Sequence, residues 1–135
     1  MNTRRSLAVV SAFLALASLA ACSDPIAAHQ TPILLPPQIE MTTSSLANDT
    51  ACPPPVVART GAGQLLVSVT VQNRTNSPLV LEYQYEFLSR GIPKQDYGAW
   101  MPLSIPPRAD GSVPIKSMEA EVDDFRIRFR RATVE

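Results

Sequence analysis

The fold is decided by residues 64–87, QLLVSVTVQNRTNSPLVLEYQYEF, because apolar and polar side chains alternate along two segments of this stretch. The apolar positions are Leu65, Val67, Val69 and Val71, and then Leu79, Leu81, Tyr83, Tyr85 and Phe87. Alternation with a period of two is typical of a strand that buries one face. The polar residues 73–78 between the segments predict a turn, with Pro78 at the start of the second strand.

Shorter alternating segments follow towards the C-terminus. Arg90-Gly91 predicts a turn, residues 100–105 a short strand, Asp110-Gly111 a second turn, and residues 113–116 another strand. In the last segment, apolar Phe125, Ile127 and Phe129 alternate with Arg126, Arg128 and Arg130. Short alternating strands at this spacing predict an all-β domain, a small antiparallel β-sandwich over residues 64–135.

The N-terminus has the organisation of a secretory signal. Arg4 and Arg5 precede an apolar run over residues 7–19, which is too short to span a bilayer. Residues 19–22, Leu-Ala-Ala-Cys, resemble the lipobox of bacterial lipoproteins. The resemblance implies that residues 1–21 are a signal peptide, that cleavage occurs before Cys22, and that Cys22 carries the lipid anchor, with fatty acyl groups such as palmitate.

Residues 22–63 are rich in Pro, Ala, Ser and Thr, and they include Pro36-Pro37 and Pro53-Pro54-Pro55. Proline runs favour extended conformations and oppose helix. This composition predicts a tether between the lipid and the sandwich. The apolar patches at residues 33–35 and 56–57 leave a second interpretation open, in which either patch is a short strand docked on the domain edge.

Cys52 is left without a partner if Cys22 carries lipid, since the chain has two cysteines. In an oxidising compartment this leaves two interpretations. Cys52 is either a solvated free thiol in the proline-rich segment or half of an intermolecular disulfide.

The predicted sandwich resembles the YcfL-like family of periplasmic lipoproteins, which have an immunoglobulin-like sandwich. The similar segments are GQLLVSVTVQN (63–73), LEYQYEF (81–87), RG (90–91), WMPL (100–103) and DFRIR (124–128). Their order and spacing fit the family across about 70 residues of the chain. The resemblance implies an immunoglobulin-like fold and carries no catalytic residues.

The sequence offers no grouping of residues typical of catalysis, of a metal site or of a bound cofactor. The one histidine, His29, lies in the predicted tether, where no scaffold holds a general base in place. Asp123 and Asp124 are adjacent, so a strand would direct them to opposite faces. There is no glycine-rich phosphate loop. Loss of Arg4 and Arg5 with the signal leaves a slightly acidic chain, unlike a nucleic-acid-binding domain. We therefore expect neither an enzyme nor a nucleic-acid partner.

The candidate binding residues lie instead on the last strand and at Trp100. The side chains of Arg126, Arg128 and Arg130 share one face and form an arginine stripe. The stripe is either a solvated face paired across strands with Glu82, Glu86 or Glu121, or a cationic surface for an acidic protein, peptidoglycan carboxylates or lipid phosphates. The aromatic residues on the inward faces of the predicted strands are expected in the core, namely Tyr83, Tyr85, Phe87, Trp100, Phe125 and Phe129. Trp100 follows an irregular loop at the domain edge, where it is alternatively a candidate anchor for a partner.

In enteric-type bacteria, lipoproteins kept in the inner membrane have Asp directly after the lipidated cysteine. Here that residue is Ser23, and Asp24 comes one position too late. The resemblance to sorted lipoproteins therefore indicates the inner leaflet of the outer membrane, facing the periplasm. The expected function is protein binding as a structural or accessory component of an envelope assembly. The alternative is an inhibitor or immunity lipoprotein that blocks a periplasmic hydrolase or effector through the loop at residues 92–99.

Overall fold

A computed structural model describes residues 35–133, which consist mainly of β-strands. The signal peptide, Cys22 and His29 lie outside the described residues, so the predictions made for them stay predictions. Within this range the elements, in chain order, are β1 (Ile39–Met41), α1 (Ser44–Asp49), β2 (Thr50–Ala51), β3 (Val56–Arg59), β4 (Leu65–Asn73), β5 (Leu79–Ser89), β6 (Ile92–Pro93), β7 (Met101–Ile105), β8 (Asp110–Lys116) and β9 (Asp124–Arg131).

The strands form two sheets. In the first, β5 pairs with β9 along one side and with β7 and β6 along the other, and β1 adds to the far side of β9. In the second, β4 pairs with β8 on one side and with β2 and β3 on the other. All pairs are antiparallel apart from β1 with β9, which is parallel. The predicted all-β sandwich is confirmed.

The core is built by the alternation that the sequence shows. Inward-facing residues of β4, including Val67 and Val69, lie opposite Ile115 and Val113 of β8, and all four are buried. Phe87, Phe125 and Phe129 contribute the aromatic part of the core from β5 and β9, while Tyr83 and Tyr85 are partly buried against it. Among the described residues, the one helix is α1, which is too short to cross a membrane.

A buried asparagine holds the turn between β4 and β5. The Asn73 amide group donates to the carbonyl oxygens of Ser77, Ile105 and Pro106 at 2.8–3.2 Å, and its oxygen accepts from the backbone and hydroxyl of Thr75. Asn73 is 3% exposed, so these bonds satisfy polar atoms that would otherwise be costly to bury. The side chain thereby ties this turn to the end of β7.

The domain begins earlier than predicted, because residues 39–59 are part of the sandwich and not of a tether. β1 pairs with residues 127–129 of β9, and β3 pairs with residues 65–68 of β4. Between these strands, the Thr43 hydroxyl caps α1 by accepting from the Leu46 amide, and Leu46 is buried in the core. The predicted boundary at residue 64 is therefore wrong, and the interpretation of residues 56–57 as an edge strand holds.

Cys52 is correspondingly not a solvated thiol. It belongs to the core cluster, with 5% of its surface exposed, and it is a free cysteine. Burial raises its pKa from 9.0 to about 11, because an apolar environment disfavours the thiolate. A sulfur in this position cannot reach a second chain without local opening, which opposes the intermolecular disulfide.

We therefore expect Cys52 to resist a thiol reagent such as a maleimide in the folded protein at neutral pH and to react once urea unfolds the chain. The thiolate is the reactive form, and both burial and the raised pKa suppress it. The test uses the chain from residue 23 onward, so that Cys52 is its one cysteine. Native labelling as fast as that of the urea-unfolded chain would contradict the buried position.

Gly111 lies within β8, opposite Val71, and not in the turn that the Asp110-Gly111 pair predicts. The turn falls earlier, near Arg108, whose φ is +55°. A Cβ on Gly111 would lie 2.8 Å from Cγ1 of the buried Ile105. The glycine therefore serves close packing between β7 and β8. The predicted Arg90-Gly91 turn is confirmed, with φ values of +51° and +76° in a two-residue hairpin loop.

Candidate binding surfaces

The arginine stripe of β9 lies on the outer face of its sheet, against a matching row of polar residues on β5. The register places three pairs opposite one another: Glu86 with Arg126, Gln84 with Arg128, and Glu82 with Arg130. The Arg130 Nε lies 2.7 Å from a Glu82 carboxylate oxygen, and the Arg126 Nη1 lies 3.5 Å from one of Glu86. Cross-strand pairing thus follows directly from the period of two on both strands.

Two of the β5 residues in this row are buried although they face away from the core. Gln84 and Glu86 are each 5% exposed. The segment between β6 and β7, residues 94–100, covers them. With the Gln84 amide oriented to suit its neighbours, its nitrogen donates to the Gly98 carbonyl oxygen at 2.9 Å and its oxygen accepts from the Arg128 guanidinium. Arg128 therefore satisfies a buried polar group.

Aromatic side chains of the same segment stack on the arginines. The Arg128 guanidinium carbon lies 3.8 Å from the centroid of the Tyr97 ring, and that of Arg130 lies 4.0 Å from the Trp100 ring. Each such cation–π contact is worth about 0.5–1 kcal/mol at a partly exposed site. Burial, followed by the negative charge of Glu86, raises the pKa of the Tyr97 hydroxyl. Residues 94–100 are thus held flat on the sheet.

These contacts favour the interpretation of the stripe as a face paired across strands. The predicted cross-strand pairs with Glu82 and Glu86 are present, whereas Glu121 pairs with Lys94 instead. Arg131, at the end of β9, pairs with Asp49. Every guanidinium of the stripe already has a carboxylate, amide or aromatic partner in this chain. An anionic partner would have to compete with those contacts, so the cationic-surface interpretation stays a prediction that the geometry does not favour.

Trp100 does not join the core. It is half-buried on the outer face of the sheet, where its ring is occupied by Arg130 at 4.0 Å and Arg128 at 5.7 Å. The loop at residues 92–99, which the inhibitor hypothesis requires to enter an active site, does not project from the domain. It continues from the β5–β6 hairpin into the segment that covers Gln84 and Glu86.

We expect Arg128→Ala to lower the free energy of unfolding by about 1–3 kcal/mol, because it removes a cation–π contact and leaves the buried Gln84 oxygen without its donor. Urea denaturation measures the change. Arg74→Ala is the matched control, since Arg74 is exposed, and it should cost less than about 0.5 kcal/mol. Arg128→Lys tests stacking separately, because lysine keeps the charge and loses the planar guanidinium. Equal stability of the Arg128→Ala and Arg74→Ala variants would contradict this account.

A second surface, which the sequence showed only as an apolar patch after three prolines, lies at β3. All four residues of this edge strand are exposed, including Val56 at 70% and Val57 at 51%. Leu66, opposite Ala58 on β4, is 41% exposed and extends the apolar area across the outer face. Exposed large apolar residues grouped on one strand are typical of a contact surface.

A cleft of about 520 Å³ adjoins β3, where the edges of the two sheets face each other. Its lining is mainly apolar, with two carboxylates, and consists of Pro36, Gln38, Pro54, Pro55, Val57, Leu65, Asp123, Asp124 and Phe125. Arg59 fixes β3 beside this cleft, since its guanidinium donates to the carbonyl oxygens of Gly63, Ala120 and Val122 at 2.8–3.2 Å. The bonds to Ala120 and Val122 connect the edge strand to the segment that leads into β9.

Within residues 35–133, no group of His, Cys, Asp and Glu side chains has an arrangement that would hold a metal ion. The adjacent carboxylates Asp123 and Asp124 have backbone partners instead. Asp123 accepts from the Arg90 amide at 3.1 Å, and Asp124 accepts from the Phe125 amide at 2.8 Å. These bonds fix the β5–β6 hairpin and the start of β9.

No family model and no curated protein matches this chain. Solved structures do resemble it. Campylobacter jejuni cj0090 superposes with a TM-score of 0.57 at 16% identity, covering 70% of this chain and 98% of that one. A DUF1425 family member from Shewanella sp. PV-4 superposes with a TM-score of 0.55 at 18% identity, covering 64% and 81%. These similarities show that the chain has the small β-sandwich fold of those two proteins.

Proposed function

We propose that this protein is a lipoprotein anchored through Cys22 in the inner leaflet of the outer membrane, and that it acts by binding another protein of the cell envelope. The signal-like N-terminus supports the proposed membrane location. The binding role rests on one observation: all four residues of the edge strand β3 are exposed, including the large apolar side chains of Val56 and Val57. Proteins usually protect a strand edge of this kind, because an exposed edge can pair with another chain.

The fold gives the proposal a physical basis. A sandwich of this size presents rigid strand edges and flat faces, which suit a structural or accessory subunit of an assembly. The arginine stripe is engaged within the chain, so we place the partner surface at β3 rather than on β9. We propose no catalytic role for any described residue.

In-cell photocrosslinking tests the binding role. A photoreactive amino acid replaces Val56 on β3 in one strain and Val80 on β5 in a control strain. The two sites are matched because both valines are exposed, at 70% and 53%. We expect a discrete protein adduct from Val56, identified by mass spectrometry, and none from Val80. Adducts of equal yield from both positions, or none from either, would contradict a partner surface at β3.

The anchor is tested separately. Replacing Cys22 by Ala should abolish incorporation of labelled palmitate and release the protein from the membrane fraction. Outer-membrane and inner-membrane fractions separated by density then show where the lipidated protein is found. Palmitate incorporation that survives the Cys22→Ala change would contradict the assignment of the lipid to Cys22.

A further inference from the structure

We infer that the outer edge of β3, together with the adjoining cleft, accepts an extended segment of a partner protein that pairs as an additional antiparallel strand. The expected segment carries apolar side chains at alternate positions and a lysine or arginine near Asp123 and Asp124. This inference rests on the proposed function, because it names how the partner binds.

The direction of the β3 backbone follows from its neighbour. The Ser117 amide donates to the Leu65 carbonyl oxygen, so Leu65 directs its backbone groups towards β8. Backbone groups alternate in direction along an antiparallel strand, so Leu66 directs its groups towards its β3 partner, Ala58. Val57 and Arg59 therefore direct their N–H and C=O groups away from β4. Within residues 35–133, no strand pairs with this side of β3.

Proline interrupts the free edges of the other long strands. On β8, Val113 and Ile115 face β4, so the outward-facing positions are Asp110, Ser112, Pro114 and Lys116, and Pro114 has no N–H. On β7, the Lys94 amide bonds to the Phe87 oxygen, which fixes the odd-numbered residues of β5 as those facing β6 and β7. The outward-facing positions of β7 are then Pro102 and Ser104, which leaves one N–H group, at Ser104. Proline at such positions opposes strand addition.

The edge of β1 is closed at one of its two outward-facing positions, Ile39 and Met41. The Ile39 amide, which would face outward, bonds to the Pro36 carbonyl oxygen at 2.8 Å. The strand is three residues long and follows Pro36-Pro37. β3 offers two successive outward-facing N–H groups, at Val57 and Arg59, that have no bond to the described residues. Unlike the edges of β7 and β8, it also lines the apolar cleft.

The cleft fits the alternate side chains of an added strand. Val57 faces the same side as its buried partner Val67, yet it is 51% exposed because nothing in residues 35–133 covers it. A strand paired with β3 would direct every second side chain into the cleft, over Val57 and between Pro55 and Phe125. The remaining side chains would lie beside Val56 on the outer face. Apolar residues at alternate positions are thus what this site selects.

The two carboxylates of the cleft favour a cationic side chain at one end of the partner segment. Asp123 and Asp124 are exposed and line the cleft. Arg59, beside them, directs its guanidinium to three carbonyl oxygens. One Asp124 oxygen accepts from Phe125, and its carboxylate keeps further acceptor capacity. A cationic side chain of the partner would therefore be favoured at this end of the cleft.

NMR titration of the chain from residue 23 onward tests the inference. The probe is the synthetic peptide Ac-Lys-Val-Thr-Val-Thr-Val-NH2, and its control is a shuffled peptide of the same composition, Ac-Lys-Val-Val-Val-Thr-Thr-NH2. We expect the alternating peptide to shift the amide resonances of Val57, Arg59 and Phe125, and the shuffled one to bind at least about 10-fold more weakly. Equal binding of both, shifts confined to β7, β8 or β1, or no binding would overturn the inference.

Variants test the backbone bond and the charge. Val57→Pro removes one outward N–H and leaves the bonds to β4 in place, so peptide affinity should fall at least about 10-fold. Val56→Thr, on the outer face, should change it less than about 3-fold. If Val57→Pro does not fold, peptides N-methylated at each backbone amide in turn test the same pairing from the side of the peptide.

The charge is tested with a variant and a changed peptide. Asp124→Asn should weaken peptide binding, and replacing the peptide lysine by Glu should weaken it further. If neither change weakens binding, the expected cationic residue of the partner is contradicted.

The two proposals can fail separately. A protein adduct from Val56 in cells, without binding of the alternating peptide, would keep the partner surface and overturn strand addition. Concentration-dependent shifts at β3 without any peptide would assign the edge to a second copy of this chain and overturn a foreign segment. Loss of both the adduct and the peptide binding would overturn both proposals.

Discussion

A chain that begins at Gln64 should not fold, whereas a chain that begins at Leu35 should keep the stability of one that begins at Ser23. The first truncation removes β1, α1, β2 and β3, and with them the buried side chains of Ile39 and Leu46. Burial of these two residues contributes roughly 3–6 kcal/mol. A domain of about 100 residues is typically stable by roughly 5–15 kcal/mol, so most of its margin would be lost.

The truncation also exposes strands that are internal in the complete domain. Without β1, the parallel ladder of β9 at residues 127–129 is open, and without β3, the ladder of β4 at residues 65–68 is open. Exposed edges of this length promote aggregation. Far-ultraviolet circular dichroism and urea titration measure the outcome. A cooperative transition of unchanged midpoint in the chain from Gln64 would restore the predicted boundary at residue 64 and contradict the domain described above.

The second large effect is expected for Phe129→Ala, which should lower the free energy of unfolding by about 3–5 kcal/mol. Phe129 has no exposed surface, and its ring centroid lies 6.1 Å from that of Tyr83. In the sheet it lies opposite Tyr83 of β5 on one side and Met41 of β1 on the other. Truncation would therefore leave a cavity on the core face of β9, between β5 and β1.

Val80→Ala is the matched control for this change, because Val80 lies on β5 in the same sheet and is 53% exposed. It should cost less than about 1 kcal/mol. Chemical denaturation of both variants in the same buffer gives the comparison, with equal m-values showing that the unfolded states are alike. A loss below about 1 kcal/mol for Phe129→Ala would mean that the position is not buried as described.

Alternation predicted the long strands because each of them buries one face over many residues. β4, β5 and β9 have 9, 11 and 8 residues, which is long enough for a period of two to be visible. β1, β2 and β3 have 3, 2 and 4 residues, and prolines precede or separate them. Such short strands owe their structure to pairing with β9 and β4. The sequence indicates β3 only as the apolar patch at residues 56–57, and it gives no pattern for β1 or β2.

The other differences between the predictions from the sequence and the structure also arise from contacts between residues far apart in the chain. The Asp110-Gly111 pair is a turn signal on local grounds, but Gly111 is required because Ile105 occupies the space of a Cβ. The arginine stripe was visible from its period, and its pairing with Glu82 and Glu86 follows from strand register. The stacking of Tyr97 and Trp100 on that stripe depends on the path of residues 94–100, which has no periodic pattern.

Residue-resolved amide hydrogen exchange, measured on the chain from residue 23 onward, tests directly whether the outer edge of β3 is open. We expect protection to alternate along this short strand. The amides of Val56 and Ala58 face β4 and should exchange at least about 100-fold more slowly than those of Val57 and Arg59, which face outward. Comparable protection at all four amides would show that the edge is already covered and would contradict the claim.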